Sequence, residues 1–199
     1  MPNWFNFTLD VNGKEKDVQE FVENVKGSKR FDTEGYVFDF NHFIPQPDNI
    51  FRGALGSKEE KYCKDNNLPD WYNWNVENWG TKWNANVDDE SGDGADYHTY
   101  FMSTAWADPR PIFHAMFEKY PHLSFEIEGE EESCAYGIYI KFDNGNIVNE
   151  YEEEPTFIDE MNNREVYWES TDYLYHYMDN DEVVPDQEDF YPINKYSWR

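Results

Sequence analysis

The sequence is short of cations, cysteines and long apolar runs, and each shortage removes a class of protein. Lys and Arg number 16 against 42 Asp and Glu, so the formal net charge is −26. A duplex carries one charge per about 1.7 Å, so such a surface is repelled by free DNA or RNA and suits basic partners. Two cysteines, Cys63 and Cys134, are too few for a disulfide framework or a four-cysteine iron–sulfur cluster, and they fit a reducing compartment. No run approaches the roughly 18–20 apolar residues of a membrane span. The first residues, MPNWFNFTL, carry neither a cationic start nor an apolar signal core. These features lead to the expectation of a soluble, cytoplasmic protein. What the chain has in abundance is aromatic side chains: 8 Trp, 15 Tyr and 15 Phe among 199 residues, enough to bury a large core despite the charge.

The charge is uneven. Residues 1–125 hold 21 acids and 12 bases, whereas residues 126–199 hold 21 acids and 4 bases. Phe5, Phe7 and Leu9 alternate with Trp4, Asn6 and Thr8, a strand with one apolar face, and Asn12-Gly13 ends it. From Lys14 to Lys26 the residues Val18, Phe21, Val22 and Val25 recur at helical spacing. A second strand is expected over Tyr36–Phe43, closed by Pro45 and Pro47. Two helices, Lys58–Asn66 and Pro69–Trp79, follow, and then an acidic loop over 88–96. Tyr97–Ala107 reads as strand three, and Asp108 as the N-cap of a helix with Ile112, Phe113, Met116, Phe117 and Tyr120 on its apolar side. Leu123, Phe125 and Ile127 alternate with Ser124, Glu126 and Glu128 on strand four, and a bulge at Gly129 is the alternative that would place Glu130 and Glu132 differently. Ile138, Ile140 and Phe142 lead into Asn144-Gly145, a type I′ hairpin signal. A short helix is expected over Thr171–Met178.

This order implies an α+β, ferredoxin-like split βαβ antiparallel sheet with helices on one face. It carries a two-helix Trp-rich insertion, an added β-hairpin and an acidic C-terminal extension. One domain plus an extension fits the length. The division expected is a ferredoxin-like domain over 1–155, with the insertion at about 50–95, and an acidic aromatic extension over 156–199 packed on that domain.

Several blocks carry a resemblance. Met-Pro-Asn-Trp at 1–4, Ile44-Pro45-x-Pro47, Trp71-Tyr72-x-Trp74, NWGTKWNA at 78–85 and Thr104-Ala105-Trp106 before Pro109 and Pro111 resemble phage and plasmid proteins with the YubB-type ferredoxin-like domain. The likeness covers about residues 1–150, and NWGTKWNA is its specific part. Asp108-Pro109-Arg110-Pro111 departs from that family's usual pattern of a small residue and adjacent prolines. The resemblance implies an accessory protein of a mobile element and supplies no catalytic residues.

Among candidate sites, Trp79, Lys82 and Trp83 make a possible ligand pocket, with Lys82 between two tryptophans. A turn that packs two Trp side chains over the sheet is the preferred reading of that block. Asp89, Ser91, Asp93 and Gly94 occupy calcium-loop places, but the twelfth place is Tyr100 instead of a bidentate Glu. The five histidines are dispersed, and no phosphate-loop, nucleophile-elbow or zinc-protease motif occurs. Cys63 lies beside Lys61 and Lys64, which would lower its pKa, but the preferred reading of a single such cysteine is structural. No catalytic residue, metal or cofactor is expected.

The leading candidate is a row of outward carboxylates: Glu126, Glu128, Glu130 and Glu132 on strand four, with Glu150, Glu152 and Glu154 on the last strand of the sheet. Residues two apart on a strand lie about 6.6–6.8 Å apart, a spacing comparable with the phosphates of a nucleic acid strand. Such a row would occupy a Lys/Arg groove built for nucleic acid. The functional expectation is a non-enzymatic phage or plasmid protein, a DNA mimic of the anti-CRISPR or anti-restriction kind, that inhibits a basic host defence protein in the cytoplasm without touching nucleic acid or membrane. The alternative is a small-molecule or enzymatic pocket between the sheet and the Trp-rich insertion.

Overall fold

A computed structural model describes residues 3–92, 96–133 and 136–153, with side chains through Glu152, and the backbone of five further strand segments between 156 and 192. β1 (Trp4–Asn12) buries Phe5, Phe7, Leu9 and Val11 and turns the alternate residues outward. α1 (Glu15–Asn24) has Glu15 and Asp17 in its first turn, where they complement the helix dipole, and it buries Val18 and Phe21. After an irregular stretch come α2 (Ser57–Asp65) and α3 (Trp71–Trp79). The Asp70 carboxylate caps α3 by accepting the Asn73 N–H at 2.9 Å, and Gly80 ends it with φ 80°. β2 (Asn86–Ser91), β3 (Tyr97–Ala105), α4 (Arg110–Lys119), β4 (Ser124–Glu131), β5 (Gly137–Asp143) and β6 (Asn146–Glu153) complete the main body.

The six strands pair antiparallel in the order β2-β3-β1-β4-β5-β6. The element order β1-α1-β2-β3-α4-β4 with spatial order β2-β3-β1-β4 is the ferredoxin-like arrangement, and β5-β6 is the added hairpin. Asn144 (φ 50°) and Gly145 (φ 78°) make the hairpin turn, both left-handed as a type I′ turn requires. The core lies between the sheet and helices α1 and α4. Phe21 meets the edge of Tyr120 at 4.9 Å, and Phe117 stacks on Phe142 at 4.6 Å.

Several expectations are corrected. The second strand of the fold is β2, in the segment expected to be an acidic loop, so the insertion lies between α1 and β2. Tyr36–Phe43 is not a strand. Phe38, Asp39, Phe40 and Asn41 are all buried in succession, and Phe40–His42 forms a 3-10 turn. The Asp39 side chain takes the Asn41 N–H at 3.0 Å and the Thr33 hydroxyl at 2.6 Å, drawing the backbone away from a ladder. Pro109, not Asp108, stands at the N-cap of α4. Gly129 makes no bulge: β4 pairs in continuous register with β1 and β5. A Cβ on Gly129 would lie 2.5 Å from the Phe7 Cβ, so glycine lets the strands close flush.

A second sheet has the order β10-β9-β8-β7-β11, formed by β7 (Thr156–Asp159), β8 (Arg164–Glu169), β9 (Leu174–Asp179), β10 (Glu182–Asp186) and β11 (Tyr191–Pro192). The expected helix over Thr171–Met178 is replaced from Leu174 onward by β9. Its tyrosine-rich sequence favours a strand, and strands pair on both sides of it. Residues 171–173 lie outside the described residues.

Candidate functional site

Residues directly opposite each other in an antiparallel pair share a face, so the register sorts every carboxylate of the sheet. Asp10 stands opposite Glu126, Thr8 opposite Glu128 and Asn6 opposite Glu130. On the other side Lys141 faces Glu126 and Tyr139 faces Glu128. Glu126, Glu128 and Glu130 therefore line up on the face that lacks helices, as expected, and Asp10 joins them. Burial, and then the charges of Glu126, Glu130 and Asp10, raise the Glu128 pKa above the usual carboxylate range. Glu126 moves the other way. Its Oε2 accepts a Lys141 bond at 2.9 Å, which lowers its pKa against the effect of burial, and the Tyr139 hydroxyl donates to it at 2.9 Å. Lys141 is the only Lys or Arg on this face among the described residues. Exposed aromatic rings flank the row: Tyr97 (42%) and Phe101 (39%) on β3, and Tyr151 (38%) stacked on Tyr139 at 5.2 Å.

The rest of the expected row lies elsewhere. Glu150 pairs with Ile140 and Glu152 with Ile138, on the helix-bearing face. A two-residue turn at Asn144-Gly145 would by itself set Glu150 opposite Tyr139. A bulge at Val148 moves the pairing by one residue, so Lys141 meets Asn149 and both glutamates change face. There Arg110, the first residue of α4, holds them. Its Nη1 donates to Glu150 at 2.7 Å, Nη2 to Glu152 at 3.3 Å and Nε to Asp108 at 2.8 Å. Burial opposes the charge on Arg110, but Asp108 and Glu150 outweigh it and the pKa is raised. The Tyr136 hydroxyl accepts the Asp108 N–H at 2.9 Å. The Asp-Pro-Arg-Pro sequence is thus a clamp that ties α4 to β6.

Glu132 lies beyond the end of β4, in the turn, where its N–H donates to the Trp4 carbonyl at 2.8 Å. Glu131 points inward and is buried, and its carboxylate accepts the Ser133 N–H at 2.9 Å. Glu154 lies outside the described residues. Sequence reasoning missed Asp10, although it continues the polar alternation of Trp4, Asn6 and Thr8.

The NWGTKWNA block divides in two. Trp79 is buried, and its indole N–H donates to the Ile44 carbonyl at 2.8 Å. Trp79 and Trp83 both line a cavity of about 860 Å³ between the insertion and the sheet edge. Lys82 does not line it. Its ammonium lies over the rings of Trp83, Trp106 and Tyr72 at 4.7, 4.9 and 5.6 Å, where cation–π attraction holds it.

The remaining candidates are structural. Asp89 and Ser91 belong to β2, and Asp93 and Gly94 lie outside the described residues. His42 is half-buried beside Lys119, and burial first, then that cation, lower its pKa to about 4, so it is neutral at pH 7. Its Nε2 lies 2.7 Å from the Tyr120 hydroxyl. Cys63 is buried, and burial followed by Asp70 and Glu59 raises its pKa, which reverses the expectation from the neighbouring lysines. Among the described residues no three His, Cys, Asp or Glu side chains converge as metal ligands, and no helix is long and apolar enough to cross a membrane.

The topology defines a ferredoxin-like α+β protein. Residues 78–171 match the family model of the ferredoxin-like domain in Api92-like protein. The matched segment opens on NWGTKWNA and takes in β2 through β8 with α4. No curated protein and no solved structure matches the chain.

Proposed function

We propose that this is a non-enzymatic accessory protein of a phage or plasmid, acting in the host cytoplasm. Its helix-free sheet face docks on the nucleic-acid-binding surface of a basic host defence protein and takes the place of nucleic acid there. The observation that carries this reading is the alignment of Asp10, Glu126, Glu128 and Glu130 on one face of one sheet, with Lys141 the sole opposing cation among its described residues. Burial is the larger cause of the raised Glu128 pKa, and the repulsion from Glu126, Glu130 and Asp10 that adds to it is relieved when a cation approaches, so a basic partner gains more from this row than from isolated surface acids. Tyr97, Phe101 and Tyr151 add the aromatic area that anchors protein interfaces. Glu150 and Glu152 lie outside this reading, because they face the helices and share Arg110 with Asp108.

The test is capture of partners from host lysate by the intact protein, with elution by salt or by competing duplex DNA. The combined Asp10→Asn, Glu128→Gln and Glu130→Gln variant is expected to lose the DNA-displaceable partner, while Glu150→Gln with Glu152→Gln retains it. Equal capture by both variants, or a partner that DNA does not displace, overturns the reading.

A further inference from the structure

The cavity beside the Trp-rich block has a composition unlike the rest of this acidic surface. Six aromatic side chains line it, among them the exposed Tyr36 (46%) and Trp83 (37%) and the buried Trp79. Its volume, about 860 Å³, suits a ligand of nucleotide size. Only two charged residues line it among the described residues, Arg52 and Asp32.

Arg52 is the unusual one. Of the three arginines whose side chains are described, Arg30 is paired with Asp48 and Arg110 with three carboxylates, but Arg52 makes no ion pair with a described residue. A chain of neutral amides positions it instead. Its Nη2 donates to Gln46 Oε1 at 3.2 Å, Gln46 Nε2 donates to Asn75 Oδ1 at 2.6 Å, and Asn75 Nδ2 donates to the Lys82 carbonyl at 3.0 Å. Gln46 and Asn75 are buried, so the amide that orients the guanidinium is itself locked. Among the described residues one donor of the five is used, and no carboxylate forms an ion pair with the guanidinium. Asp32, in a left-handed conformation at φ 60°, supplies an acceptor for hydroxyl groups at the same cavity.

The geometry points to a binding site for a nucleoside monophosphate: the base stacks on the cavity's indole and phenol rings, Arg52 takes the phosphate, and Asp32 accepts from the ribose hydroxyls. The inference stands apart from the docking face, because it uses none of the strand-four carboxylates.

Isothermal titration of the intact protein with AMP, adenosine and ribose 5-phosphate tests it. AMP is expected to bind at least about tenfold more tightly than adenosine, because a charge-assisted bond to phosphate is lost in adenosine. Ribose 5-phosphate, which lacks the ring, is expected to be weaker than AMP by at least about fivefold. Arg52→Gln brings AMP down to the level of adenosine without changing the thermal midpoint, since the side chain is exposed. The inference is overturned if AMP shows no binding at millimolar concentration, if adenosine equals AMP, or if ribose 5-phosphate equals AMP. Glu128→Gln with Glu130→Gln leaves AMP binding unchanged, so failure here and failure of the docking reading are separate results.

Discussion

The Glu126-x-Glu128-x-Glu130 row of β4 and the Glu150-x-Glu152 pair of β6 have the same spacing in sequence and opposite circumstances in the fold. The first stands on the open face of the sheet, where burial and then like charges raise the Glu128 pKa. The second faces the helices and is held by a single guanidinium. The spacing tells only that residues share a face. Which face that is depends on pairing with the neighbouring strand, and one extra residue at Val148 reverses it.

The largest effect should come from destroying the close approach that keeps β4 flat. Gly129→Val places a branched side chain against the Phe7 Cβ and the Asn6 carbonyl, and it should cost more than about 3 kcal/mol or abolish cooperative unfolding. Urea denaturation reads this directly. Deleting Val148 removes only the unpaired residue, so the ladder becomes regular while Glu150 stays opposite Ile140 and Glu152 opposite Ile138. The coupling between Arg110→Gln and Glu150→Gln, measured by a double-mutant cycle, should therefore be at least about 1 kcal/mol both in the parent and in the deletion.

Neutralising each pair should move stability in opposite directions. Glu150→Gln with Glu152→Gln strips Arg110 of two partners and should lower stability by about 1–2 kcal/mol at neutral pH. Glu128→Gln should raise the thermal midpoint by about 1–2 °C. The pH dependence sharpens this further. The Glu128 pKa is raised on folding, so its contribution is favourable in acid and is lost as pH rises through the folded value; the gain from Glu128→Gln therefore vanishes at low pH. The Glu126 pKa is lowered, so its contribution is present above the unfolded carboxylate value and is lost as pH falls through the folded one. Glu126→Gln should thus destabilise at neutral pH and become neutral in acid, the reverse of its neighbour two residues on.

The elements legible in the sequence were those whose signals are local. β1 shows period-two alternation, α1 and α4 show apolar residues at helical spacing, and Asn144-Gly145 defines its own turn. β2 was illegible because Asp88-Asp89-Glu90-Ser91 has low strand propensity. It becomes a strand by pairing with β3, as an edge whose acidic residues discourage further pairing. The 36–43 segment misled for the opposite reason: aromatic residues at alternate positions imitate a strand, while the Asp39 carboxylate competes for the backbone. Of the candidate site, the β4 row could be read because its apolar partners Phe125 and Ile127 declare the inward face. The Arg110 clamp could not, since it joins residues forty positions apart through a pairing shifted by one bulge. The cavity was legible only as a concentration of tryptophan, because Arg52 and Gln46 carry no local pattern.

The placement of β1 at the middle of the sheet has a kinetic consequence. Asn12, the end of the central strand, pairs with Tyr97 on one side and Ser124 on the other, so its two ladders close over about 85 and about 112 residues. Contacts that distant in sequence make folding slow, on the millisecond-to-second scale of high-contact-order domains. During synthesis, the apolar side of β1 stays without its sheet neighbours until β3 and β4 have left the ribosome. Over that interval Phe5, Phe7, Leu9 and Val11 form an exposed apolar strand face, and the negative balance already present in residues 1–125, 21 acids against 12 bases, helps keep such nascent chains apart.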